Sequence, residues 1–128
     1  MTKEINSLVL AYLGDTIYED YIREYLIKKG IANIKELQEA SMDYVSAKSQ
    51  ARILEELINK NIFTEEELEI IKRARNNSSK HHPKSCDVIT YRKATGLEAL
   101  IGYLKLENNI DRIDGIYKYE GTRNKYSK

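Results

Sequence analysis

The chain has 128 residues, 41% hydrophobic and 32% charged, which fits one domain around a single core. A single cysteine, Cys86, excludes an internal disulfide framework and suits a reducing cytosol. The net charge of +1 hides a segregation: residues 1–71 carry 8 Lys/Arg against 14 Asp/Glu, residues 72–93 carry 7 against 1, and the last twelve carry 4 against 1.

Apolar residues recur at spacings of three and four and no useful period-2 stretch occurs, so the expected fold is all-α with six or seven helices. The first helix is expected from about Lys3 to Lys29, ending at Gly30 with two lysines in its last turn. Ile5, Val9, Tyr12, Leu13 and Ile17 fall on one side of it, and Leu10, Tyr18, Tyr21, Ile22 and Tyr25 cover much of the rest. A helix so wrapped is expected at the centre of a bundle. Asn33 and Glu36 form a near capping box for a short second helix holding Leu37 and Ala40.

A third helix is predicted from roughly Tyr44 to Asn59, with Val45, Ala51, Ile53, Leu54 and Leu57 inward. Thr64 and Glu67 then form a capping box for a fourth, which ends near Arg75; three acids in its first turn suit the helix dipole. Residues 76–86 read as loop. A fifth helix starts at about Asp87 and runs to Leu106, with a kink expected near Thr95 or Gly96. A sixth covers about Ile110 to Tyr119. The domain is expected to span residues 1–120, with 121–128 a disordered basic tail. No apolar run approaches the roughly 20 residues that span a bilayer, and the N-terminus lacks a signal-peptide pattern, so a cytoplasmic protein is expected.

Two acids stand out. Asp15 and Glu98 each sit alone in an apolar helix, each beside a glycine, Gly14 and Gly102. A buried carboxylate costs several kcal/mol unless it pairs, protonates or binds a cation. Two in matching contexts predict one divalent metal site, and hard oxygen donors suit Mg²⁺ or Mn²⁺ rather than Zn²⁺. His81, His82 and Cys86 lack the ligand number and spacing of a zinc site. No G-x-x-x-x-G-K-[ST] or G-x-G-x-x-G occurs, so no nucleotide cofactor is expected.

The basic stretch K-R-A-R-N-N-S-S-K-H-H-P-K-S points to a polyanion. Lys72, Arg73, Arg75, Lys80 and Lys84 are candidate backbone contacts for RNA, with Asn76, Ser78 and His82 supplementary. Between Lys72 and Val88 there is no aromatic residue, which disfavours stacking on single-stranded bases and favours a duplex. Lys48 and Gln50, in S-A-K-S-Q, form a second polar patch, expected to contact RNA where it approaches the acids.

These motifs carry a resemblance. L-A-Y-L-G-D-T-I-Y-E is similar to the ribonuclease III signature helix, E-x-L-E-F-L-G-D, and A-T-G-L-E-A-L-I-G to that family's A-D-x-x-E-A-L-I-G helix. With V-S-A-K-S-Q-A, K-R-A-R-N and P-K-S-C-D-V-I-T-Y-R, nearly all of residues 4–120 resembles Mini-ribonuclease III, the short branch without a double-stranded-RNA-binding domain. The chain departs from the longer members: Leu8 and Ala11 stand where they have two glutamates, and Thr95 where they have an aspartate, leaving only Asp15 and Glu98.

The resemblance implies a ribonuclease III-like helical bundle and a Mg²⁺-dependent endoribonuclease cleaving double-stranded RNA as a homodimer, with Asp15 and Glu98 catalytic and metal-binding. It also implies maturation of the large-subunit (23S) ribosomal RNA precursor. The missing carboxylates motivate the alternative, a dimer that binds double-stranded RNA but has lost cleavage. A helical protein-interaction module with an incidental basic loop is the remaining one.

Overall fold

A computed structural model describes residues 2–78 and 86–122, and every regular element among them is helical. A 3-10 turn at Thr2–Glu4 precedes α1, which spans Ser7–Lys28. Asn6 separates them because its Oδ1 accepts the Leu8 N–H at 2.8 Å, so the helix starts later than the periodicity alone predicts. Gly30 turns the chain out at φ 99, a conformation that a side chain would disfavour, while the Gly30 and Ile31 N–H groups bond back to Ile27 and Leu26.

Helix α2 spans Ile34–Val45, capped by Asn33, whose Oδ1 accepts from the N–H groups of Lys35 and Glu36. Helix α3 spans Ala47–Asn59. The expected start at Tyr44 is corrected here: Ser46 is extended (ψ 151), ends α2, and caps α3 by accepting the Ser49 N–H. After a left-handed residue at Asn61, α4 spans Glu65–Asn77 behind the Thr64–Glu67 capping box that the sequence marks.

Asp87 caps α5, Val88–Leu106, by accepting the Thr90 N–H at 2.7 Å. The helix is uninterrupted at the expected kink, with the Thr95 hydroxyl bonded to the Tyr91 carbonyl one turn back. Helix α6 spans Ile110–Thr122, two residues past the expected domain end; residues 123–128, the rest of the expected tail, lie outside the described residues.

The central helix is α5, not α1. Residues 94–97 and 99–104 of α5 are all buried, and α1, α3, α4 and α6 pack around it. Helix α1 buries Leu10, Gly14, Tyr18, Ile22 and Leu26 but leaves Val9 56% and Tyr12 82% exposed. The reason is geometric: a helix covered on one flank by α5 and on another by α2 keeps a third open.

Tyrosine does the work of phenylalanine in this core. Tyr18, Tyr44 and Tyr117 are fully buried, Tyr18 meets Tyr117 edge-on at 5.5 Å, and its hydroxyl donates to the Tyr44 carbonyl. Arg112 joins α6 to α4 by two bonds to the buried Glu67, at 2.9 and 2.7 Å. Burial pushes the Glu67 carboxyl up, but the Arg112 guanidinium and the Thr64 N–H outweigh it and hold it below the usual range. No described helix is long and apolar enough to cross a membrane.

Candidate active site

The two lone acids meet because α1 and α5 touch backbone to backbone. A Cβ on Gly14 would lie 1.7 Å from the Glu98 carbonyl oxygen, and one on Gly102 would lie 2.0 Å from the Leu10 carbonyl oxygen. Each glycine therefore makes room for the other helix's main chain. This crossing sets Asp15, one residue after Gly14, beside Glu98, one turn before Gly102.

They share a cleft of about 450 Å³, with Gln50 of α3 and Ser78, just past α4, also on its wall. The expectation of two buried acids holds for one of them. Glu98 is partly buried, whereas Asp15 is exposed, on the side of α1 that the bundle leaves open. Burial first, and then the hydrogen bond and charge of Asp15, push the Glu98 carboxyl from 4.5 up to about 9; a hydrogen bond from Gln50 opposes them. Among the described residues no Lys or Arg lines the cleft. Near neutral pH the pair therefore holds a proton or needs a cation.

This donor set fits a hard divalent ion. The pair presents carboxylate oxygens to an open cleft, and its mutual repulsion is the strain that a cation relieves. No third His, Cys, Asp or Glu joins it among the described residues, so water and substrate oxygens would complete the shell. Ala11 and Thr95, which stand where longer ribonucleases III have carboxylates, are buried in the walls of this same cleft. Thr95 spends its hydroxyl proton on the Tyr91 carbonyl and faces Ser78 Oγ at 3.4 Å.

The expected RNA contacts disperse. Lys72 and Asn76 are exposed one turn apart on α4, and Lys48 is exposed on α3. Arg75 is partly buried, its stem against Gly96. Arg73 is also partly buried, in a recess with Lys3, Ser7 and Asn77, and Asn77 donates to Ser7 Oγ at 3.3 Å. Ser78 and Gln50 belong to the cleft wall rather than to an outer surface; both are buried because α4 and α3 close against α5. Lys93 is engaged by Glu55. Lys80, His82 and Lys84 lie outside the described residues. Sequence reading missed Tyr91 and Tyr12 as cleft residues; the spacing Tyr91, Thr95, Glu98 along α5 is the signal that could have found the first.

Comparison with known proteins gives a consistent family. The ribonuclease III domain model matches residues 8–109. The chain is 42% identical to the Mini-ribonuclease 3 of Streptococcus pneumoniae over 90% of each chain. It is 44% identical to that of Staphylococcus aureus, over 89% of this chain and 85% of the relative. A crystal structure of a Fusobacterium nucleatum protein, 40% identical, superposes with a TM-score of 0.83 over 91% of this chain and 93% of that one.

Proposed function

Because this chain belongs to the ribonuclease III family, in its Mini-ribonuclease III branch, we propose that it is a Mg²⁺-dependent endoribonuclease that cleaves double-stranded RNA as a homodimer. The observation that carries the reading is the Asp15–Glu98 pair, two repelling carboxylates in an open cleft that no cationic side chain lines among the described residues. Asp15 and Glu98 would hold the ion, Mg²⁺ with Mn²⁺ as a substitute. When bound, a divalent cation polarises a phosphoryl oxygen and supplies hydroxide near neutral pH.

The protein's own groups do the rest. Asp15, at the open side, faces the incoming phosphodiester; Glu98, deeper, is held by α5 and its neighbours. Exposed Lys72 and Lys48 neutralise backbone phosphates, with Arg73 and Arg75 behind them on α4. Leu8, Val9 and Tyr12 make an exposed apolar surface beside the cleft, which supports a two-fold dimer presenting two clefts to one duplex. The biological substrate in this reading is the precursor of large-subunit (23S) ribosomal RNA, processed in the cytoplasm.

Ala11 and Thr95 favour the second reading, a dimer that binds duplex RNA without cutting it. The test is incubation of the full chain with long double-stranded RNA in Mg²⁺ and in EDTA, alongside Asp15→Asn. Cleavage is expected only for the unsubstituted chain with Mg²⁺, and RNA binding in EDTA is expected for both. Binding without metal-dependent cleavage would establish the second reading instead.

A further inference from the structure

Gln50 is buried to 2% exposure in the wall of the acid cleft, where the neighbouring lining residues Val45, Ala47 and Ala94 are apolar. An amide kept in such a place costs free energy unless its bonds are made. Its Nε2 donates to the Val45 carbonyl at 3.0 Å. A carbonyl oxygen can only accept, so this bond decides which way the amide faces. The second Nε2 proton is then available to Glu98, which lines the same cleft and whose carboxyl a donor from Gln50 pulls back toward the ordinary range. Oε1 is buried and has no partner among the described residues.

We propose that Gln50 is a positioning residue for the metal site: it locks the Glu98 carboxylate in the orientation that receives the ion. This rests on the metal-dependent reading above. The lock has a rigid base, because Val45 is the last residue of α2 and Ser46 caps α3, so the amide ties the α2–α3 junction to a ligand on α5. A site with two carboxylates has few other ways to hold them. Ala11 has no polar side chain, and Thr95 gives its proton to its own helix. A neutral donor also orients Glu98 without adding a third negative charge to a pair that already repels.

The test measures Mn²⁺ binding to the RNA-free full chain by calorimetry, for the unsubstituted chain, Gln50→Met and Asp15→Asn. Methionine fills the amide's volume and removes its donors. Loss of a group that orients a metal ligand typically weakens binding about 10–100-fold. Gln50→Met is therefore expected to raise the Mn²⁺ dissociation constant by roughly that factor. Its helical circular-dichroism spectrum and its RNA affinity in EDTA should be unchanged, although its unfolding midpoint falls because the buried Val45 carbonyl loses its donor, and cleavage lost at low Mn²⁺ should return in excess Mn²⁺.

Unaltered Mn²⁺ binding by Gln50→Met, with Asp15→Asn impaired, overturns the inference and leaves the metal site standing. An unsubstituted chain that takes up no Mn²⁺ overturns the metal site and the inference with it. Should Gln50→Met fail to fold, the unsubstituted chain decides by NMR during Mg²⁺ titration. The Gln50 side-chain amide signals should move with the same midpoint as the Glu98 carboxyl carbon; signals that stay still overturn the proposal.

Discussion

Glu98 ties the stability of the metal-free protein to pH. Its folded pKa of about 9 lies above the ordinary 4.5, because burial and then Asp15 disfavour the anion. Between those values the folded chain binds more protons at this residue than the unfolded chain does, so its contribution to stability falls as pH rises. The contribution is fully present below about pH 4.5 and is lost by about pH 9. Glu98→Gln, neutral throughout, should remove this loss. In EDTA it should match the unsubstituted chain at pH 5 and exceed it at pH 8 in urea unfolding, while cleavage disappears. Lower stability than the unsubstituted chain at pH 8 would mean that the ionised carboxylate is structurally required. Mg²⁺ should flatten the pH dependence of the unsubstituted chain, since the ion binds the deprotonated form.

The crossing of α1 and α5 is the element on which the site depends. Gly14→Ala would drive a methyl into the Glu98 main chain, 1.7 Å from its carbonyl oxygen, where no side chain can swing aside. Overpacking against a mobile side chain costs about 1–3 kcal/mol, and this backbone clash should exceed that range. Gly14→Ala is thus expected to lower the thermal midpoint sharply and to abolish cleavage by separating the acids. Gly115, inside α6, is the control: among the described residues nothing lies within 4 Å of a Cβ there. Gly115→Ala should raise stability by up to about 1 kcal/mol through helix propensity alone. Equal effects of the two substitutions would refute the backbone-contact account.

At the scale of the whole molecule, α1 faces two ways. One side packs on α5, and the other leaves Leu8 38%, Val9 56% and Tyr12 82% exposed next to the cleft. Placing a charge at Val9, outside the cleft lining, tests the proposed dimer without touching the acids. Val9→Glu should sediment as a monomer at micromolar concentration while the unsubstituted chain sediments as a dimer, with the helical circular-dichroism spectrum of the two alike. A Val9→Glu chain that remains dimeric would move the interface elsewhere.

The helices themselves were readable along the chain, since caps are local chemistry. Asn33, Thr64 with Glu67, and Gly30 each act within a few residues, and each stands where its spacing indicates. Asp15 and Glu98 were conspicuous for the same reason, as single charges among apolar neighbours. The resemblance placed them in one family site. Only the tertiary structure decided which helix is central, that Asp15 is open while Glu98 is partly closed, and that Gln50 reaches inward rather than outward. Those outcomes depend on which flank of a helix its neighbours cover. Periodicity cannot report that for α1 and α5, both apolar on most sides, because any of several faces would satisfy the hydrophobic pattern. The choice falls to Gly14 and Gly102, which alone let two main chains come into contact.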